Sequence, residues 1–217
     1  MNSFILQTFN GISYAALLFL LASGFTLTFG LMRIVNMAHG AYYLLGGYIG
    51  LSVAKATGNF GFALIAGGVA AALLGFIADK VLIKRAGDNH LSQVLITVGL
   101  AYVVGDVTLK IWGGDALKLP VPIWLRGVVE LPGGIVYPIF RFFLTAIGVV
   151  VALLLWLLYR KTQIGAAIRA GVDDREMVSA TGIHVDRLFV IVSALASFLA
   201  GFSGVLGGAF LTVYPGA

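Results

Sequence analysis

The sequence predicts an all-α integral membrane protein, a polytopic bundle of transmembrane helices forming one domain over residues 1–217, and three observations carry that prediction. Of the 217 residues, 60% are apolar and 11% charged, and the mean hydropathy is +1.02, whereas a soluble domain spends about a quarter of its residues on charge. The apolar residues form solid runs of roughly the 20 residues needed to cross a bilayer as a helix, not the alternation of a membrane β-barrel. The charged residues fall between those runs. Together these features exclude a soluble enzyme, a disordered tail and a nucleic-acid binder, and they assign the net charge of +5 to basic cytoplasmic loops. Cysteine is absent, which removes disulfides, thiolate metal sites and a cysteine nucleophile.

Six runs are long enough to span. The first covers residues 12–32; no Lys or Arg precedes Arg33, so it lacks the basic start of a cleaved secretory signal and is expected to stay in the membrane. The next three cover 37–54, 60–78 and 91–109, with Asp106 the one internal charge. The fifth covers 142–159 and the sixth 188–213. Lys80, Lys84 and Arg85 lie between the third and fourth runs, and Arg160, Lys161, Arg169, Arg175 and Arg187 between the fifth and sixth, so both loops are expected in the cytoplasm. That places the N-terminus outside if every run crosses. Lys110, Lys118, Arg126 and Arg141 oppose this, but they are diluted over a long stretch with Pro, Gly, Asp115 and Glu130. Small residues recur one turn apart at Gly46 and Gly50, Gly67 and Ala71, Ala200 and Gly204, and Gly204 and Gly208. Such ridges let helix backbones approach closely in lipid, which predicts a tightly packed bundle.

Residues 161–187 are too polar to span and too patterned for a plain linker. Ile164, Ala167, Ile168 and Ala170 fall near one face of a short helix, and Asp173 and Asp174 are placed to start a second as cap and first-turn acid. Met177, Val178, Ala180 and Thr181 continue it to a natural stop at Gly182. On physics alone, two short surface helices fit docking to a partner and an amphipathic interfacial segment about equally. The run from Gly165 to Arg187, G-A-A-I-R-A-x-x-D-D-R-E-M-V-S-A-T-G-I-H-V-D-R, resembles the coupling loop of bacterial ABC-importer permeases of the branched-chain amino acid (Liv-type) family. Glu176 and Gly182 keep the spacing of the general importer motif, with Met177 and Val178 where two alanines usually stand. The resemblance implies that Gly165, Ala167, Arg169, Ala170, Glu176, Gly182, Ile183 and Asp186 couple to an ATPase subunit, with Glu176, Gly182, Ile183 and Asp186 the best-matching positions.

Asn36-Met37-Ala38-His39-Gly40 is similar to the N-F-A-H-G signature after the first span of the same family, with Met37 in the aromatic position. Asn and His between apolar runs are costly in a membrane and commonly functional. Asn36 is placed to cap a helix starting at Met37, with Gly40 allowing close approach or a break, and discontinuous helices line many transport pathways. Asn36, His39 and Gly40 are therefore translocation-path candidates. The alternative is a cytoplasmic turn with a solvated His39; a re-entrant segment would instead move the N-terminus inside. With residues 11–30 and the last two runs, the resemblance covers most of the chain. It implies a permease subunit in the bacterial cytoplasmic (inner) membrane, a second permease chain, ATPase subunits that bind the ATP, and an extracytoplasmic solute-binding protein. It also implies further spans beyond Pro215, Gly216 and Ala217, hence a C-terminally truncated chain. The solute expected is a branched-chain or related amino acid, with urea or another small polar compound as the alternative.

Asp106 and Lys110, one turn apart, suggest a helical ion pair, and Trp112, Pro120, Pro122, Trp124 and Tyr137 suggest interfacial anchoring; the family implies that this outer surface receives the binding protein. No phosphate-loop motif occurs, so ATP hydrolysis belongs elsewhere and no catalytic residue is assigned. His39, His90 and His184 lack metal-ligand spacing, so no metal is expected. Two further classes stay open at this stage: a self-contained channel or secondary transporter, motivated by Asp106, His39 and the Gly-rich runs, and an intramembrane enzyme, motivated by His39 alone.

Overall fold

The computed structural model describes residues 2–32, 36–87, 89–131, 134–173, 175–180 and 184–215. The long helices are α1 (Asn2–Met32), α2 (His39–Thr57), α3 (Phe60–Ile77), α4 (His90–Trp112), α5 (Ile139–Lys161) and α8 (Val185–Phe210). Between the last two lie the short helices α6 (Gln163–Asp173) and α7 (Arg175–Ala180). Helix α3 runs on through a π-helical turn (Ala78–Ile83) and a 3-10 turn (Lys84–Ala86). Local chemistry sets several boundaries. Gly58, at φ 66°, ends α2 by returning its N–H to the Ala54 carbonyl, a conformation that favours glycine. The Asn59 side chain then accepts from Gly61 and Phe62 N–H at 2.9 and 3.2 Å, and Asn89 accepts from Ser92 N–H at 3.1 Å, so α3 and α4 both start on a side-chain cap.

Five helices of the described residues are long and apolar enough to cross a membrane: Ser3–Gly30, Phe60–Ala86, His90–Trp112, Ile139–Lys161 and Arg187–Phe210. The second run, expected as a sixth span over 37–54, folds as α2 but does not join them. Its glycines and tyrosines lower its hydropathy, and its buried residues, from His39 to Ala54, face protein and not lipid. The first helix also starts ten residues before the expected point, at Asn2.

Helices α1, α3 and α5 run in one direction and α2, α4 and α8 in the other. The start of α1 meets the start of α5 through Ser13 and Thr145, the middle of α1 meets α8 at Gly24 and Ala196, and the end of α4 meets α2 where Trp112 donates to Ser52 at 2.8 Å. The π turn of α3 reaches the first turns of α8. The two basic loops expected in the cytoplasm therefore share one end of the bundle, here called the inner end.

Three helices meet backbone to backbone. A Cβ on Gly46 of α2 would land on Gly201 of α8, and one on Gly67 of α3 would land on Gly46 and Val205. Gly204 lies against the Tyr43 backbone, and Gly75 against the Ser197 side chain. The small-residue ridges expected from spacing are thus used, in pairs across helices. Lipid tails are as apolar as the helices, so close van der Waals packing, not expulsion from water, holds them together.

At the outer end, residues 113–131 and 134–138 are folded over the bundle instead of serving only as aromatic anchors. Strands β1 (Val128–Leu131) and β2 (Ile135–Pro138) form an antiparallel hairpin pairing Val129 with Tyr137. Leu117 pairs with Val213 through backbone bonds of 2.8 and 2.7 Å, and Leu119 N–H donates to the Gly208 carbonyl at 3.0 Å. Tyr137 is buried and donates to the Phe9 carbonyl at 2.7 Å, while Trp124, mostly exposed, meets Phe143 edge-on. The expectation of anchoring fails for Tyr137 because backbone groups of α1 give its hydroxyl a buried partner. Asp106 and Lys110 are both exposed on α4 and form no ion pair.

Gly201→Val should lower the stability of the detergent-solubilised protein by about 3 kcal/mol, since backbone cannot yield as a side chain can. Gly105→Ala, where a Cβ meets nothing within 4 Å, should cost nothing or add a few tenths of a kcal/mol. Thermal unfolding of the two variants side by side checks this.

Candidate translocation and coupling sites

The segment before α2 enters the bundle. His39 is 6% exposed, and its Nε2 lies 3.0 Å from the Leu21 carbonyl of α1; a carbonyl only accepts, so Nε2 carries the proton and donates. Leu21 is eleven residues before the end of α1 at Met32, about 16 Å along the axis at 1.5 Å per residue. The start of α2 therefore lies well inside the bundle, at the depth of the middle of α1. A solvated cytoplasmic turn is excluded. Gly24 makes the room: a Cβ there would meet the Ala196 carbonyl oxygen at 2.5 Å and the His39 ring at 3.0 Å.

Asn36 is buried, and its Oδ1 accepts from Ala38 N–H at 3.0 Å while its carbonyl accepts from His39 N–H at 3.3 Å. It closes a turn over residues 36–39, and the helix begins at His39, two residues later than expected. Its Oδ1 serves the turn, leaving Ala38 in the cap position without a side-chain bond. Met37, 53% exposed, donates its N–H to Thr97 Oγ1 of α4 at 3.2 Å. Gly40 is exposed with no atom within 4 Å of where a Cβ would stand, so the close approach expected there is absent: it faces outward from the first turn of α2. The N–H groups of Met37, Ala38 and His39 at this buried helix start are all taken by protein acceptors.

Sequence reading missed several partners of this segment. Tyr42, buried one turn into α2, has its hydroxyl close to the Asn36 side chain. Thr97, Gln93, Ser193, Ser197 and Asp79 are buried polar residues on α3, α4 and α8. Their burial was hidden because each sits singly among apolar residues or at the edge of a basic loop, with no motif around it.

The coupling segment folds as the two short helices expected. Thr162 turns the chain out of α5: its Oγ1 donates to the Leu158 carbonyl at 2.6 Å and accepts from Gly165 N–H at 3.0 Å. Gly165 is buried against the Leu158 and Tyr159 carbonyls, where no Cβ fits. Ala167 and Ile168 pack with Leu188 and Val192 of α8, joined by Leu27 of α1 and Leu158 of α5. Ile164 and Ala170, expected on that face, are exposed instead, and Gly165 and Gly171 are buried there. Arg169 lies over the Tyr159 ring, 5.2 Å from its centroid. Asp173 ends α6 and does not start α7. Glu176 and Asp186 are in helical backbone, their side chains outside the described ones, and Gly182 and Ile183 lie outside the described residues. Met177 is 65% exposed and Val178 buried.

His90 and His184 are exposed and apart from His39, and among the described residues no group of three or more His, Asp or Glu could hold a metal. A multi-pass helix bundle with a helix starting inside it, and an inner segment packed on α1, α5 and α8, is an architecture suited to a membrane transport component. Residues 7–216 match the family described as branched-chain amino acid transport system, permease component, and the chain belongs to that family. It is 24% identical to the high-affinity branched-chain amino acid transport system permease protein LivH of Escherichia coli (strain K12), over 97% of this chain and 72% of that protein. It is 28% identical to the probable LivH of Methanocaldococcus jannaschii, over 90% of this chain and 63% of that one, and 22% identical to BraD of Pseudomonas aeruginosa, over 94% and 71%. No solved structure matches the chain.

Asn36→Ala leaves the buried Ala38 N–H without its acceptor and should lower stability by about 1–3 kcal/mol. Met37→Phe, at an exposed position, should stay within about 0.5 kcal/mol of the parent. Equal melting temperatures for the two variants would overturn the role given to Asn36.

Proposed function

We propose that the chain is a single permease domain of an ATP-driven importer of branched-chain amino acids in the cytoplasmic membrane. It works with ATPase subunits that bind and hydrolyse ATP, a second permease chain and an extracytoplasmic solute-binding protein, and is not itself an enzyme. The observation that carries the reading is the folded segment at the inner end, α6 and α7, in a chain whose family is a transport permease. In this reading residues 161–187 dock on the ATPase, with Gly165, Ala167, Arg169, Ala170, Glu176, Gly182, Ile183 and Asp186 as the coupling positions. Movement of the ATPase presses on α6, which is packed on α1 and α8. Because α8 lies backbone to backbone with α2 and α3, a shift of α8 moves the buried start of α2, where Asn36 and His39 line the path.

The tagged protein, extracted in mild detergent from its native host, should copurify with an ATPase bearing a phosphate-loop motif. A Glu176→Lys, Gly182→Arg double variant should stay in the membrane at the parental level while recovery of that ATPase falls about tenfold, a loss of about 1.4 kcal/mol. Recovery of the parent chain alone, repeatedly and intact, would overturn the importer reading in favour of a self-contained channel or carrier.

A further inference from the structure

Asp79 is the buried charge that the coupling and path residues leave unexplained. It sits in the π turn that extends α3, 4% exposed, and neither carboxylate oxygen has a hydrogen-bond partner among the described residues. Ser193 of α8, also buried, stands beside the carboxyl without closing a bond to either oxygen. Tyr42 of α2 faces it across the seam. Helix α4 packs on the same π turn, and there Gln93 is buried with its Nε2 bound to the Gly87 carbonyl and its Oε1 unpartnered. Thr97, one turn further, already accepts from Met37 and donates to the Val94 carbonyl.

The unpartnered polar atoms on the walls of this layer are therefore acceptor oxygens, from Asp79 and Gln93. No cation among the described residues pairs with the carboxylate. Lys80 is exposed with its ammonium over the Phe76 ring, His39 is bound to the Leu21 carbonyl, and Arg169, on α6, lies against Tyr159 with its buried Nη1 also unpartnered. A carboxylate in such surroundings is costly unless a cation meets it, and wide π turns recur at functional sites because they displace a side chain from the regular ladder. Directly beside this layer, Ala38, Ala71 and Ala200 pack with Tyr42, flanked by Leu74 and Leu100. Acceptor oxygens next to an aliphatic wall match a small molecule that carries both an ammonium group and a short aliphatic side chain.

We propose that Asp79 is the membrane-embedded seat of the solute's primary ammonium group, with Gln93 Oε1 as a second acceptor and the alanine-lined wall beside Tyr42 receiving the aliphatic part. A primary ammonium offers three N–H donors, and its bond to a carboxylate is charge-assisted. The proposal rests on the importer reading and adds a second polar position to the path, since Asn36 and Asp79 both lie near Tyr42.

The test uses the complete importer in proteoliposomes, with its binding protein outside and ATP inside, and reads both leucine uptake and ATP hydrolysis stimulated by the loaded binding protein. D79N removes the charge and keeps the shape; uptake should fall about tenfold while stimulated hydrolysis stays within about twofold of the parent. D79E keeps the charge but shifts it by a methylene, and should raise the KM for leucine about threefold or more at unchanged stimulated hydrolysis. Uptake by D79N within about twofold of the parent would show that the carboxylate charge is not needed and overturn the proposal. Joint loss of uptake and stimulated hydrolysis would assign Asp79 to assembly or coupling and overturn it too. If D79N fails to assemble, an unchanged KM in D79E overturns it. Failure of the parent complex to take up leucine with ATP would instead overturn the importer reading itself, whatever the variants do.

Discussion

The contact on which the rest of the structure depends is the glycine seam between α2, α3 and α8. In lipid, helices gain nothing by hiding apolar surface from water, so association relies on how closely their backbones approach. Gly46, Gly67 and Gly201 set that approach, each lying where another helix leaves no space for a Cβ. The seam explains why α2 can be the least apolar of the long helices and still lie in the bundle. Most of its small residues meet protein, and the exposed apolar side chains that suit lipid are carried mainly by α1, α3, α4 and α5.

Towards the inner end the seam changes character. Gly75 against Ser197 is followed one turn later by Asp79 beside Ser193, so the same helix pair that packs by small residues above carries a polar layer below. The buried start of α2 opens on that layer through Asn36 and Tyr42. An irregular backbone at this depth needs its polar groups satisfied by protein, and the His39–Leu21, Ala38–Asn36 and Met37–Thr97 bonds do so. Towards the outer end the polar network of Ser13, Tyr137, Thr145 and Arg141 with Asn10 ties α1, β2 and α5 together, leaving α8 free to be the element common to the seam and the coupling segment.

Much of the site was legible in advance because two motifs carry it. The helical spacing in 161–187 predicted α6 and α7, and the Asn and His of the segment before α2 marked it as a candidate site by the cost of polar groups in a membrane. Errors came from faces and boundaries. Ile164 and Ala170 were placed on the buried face by periodicity, but α6 turns Gly165 towards the carbonyls of α5, where only a glycine fits, and leaves those two residues outside. Asn36 was read as a helix cap, but its side chain spends its acceptor inside the turn. Asp79 went unnoticed because, beside Lys80 in the sequence, it resembles the edge of a solvated basic loop; continuation of α3 through a π turn keeps it under α8.

By itself the sequence determined that this chain is a helical membrane protein of a transport permease family. It also predicted that two of its loops share one side and that the inner segment folds as two short helices, because hydropathy, loop charge and motif spacing are properties of single segments. Only the tertiary structure decided that α2 is sheltered by its neighbours and starts inside the bundle, that the hairpin β1–β2 and residues 113–125 cover its outer end, and that Asp79, Gln93, Tyr42 and Ser193 are all buried. Those outcomes depend on which backbones can touch. That is fixed by pairs of glycines far apart in the chain, whose partnership no local pattern records.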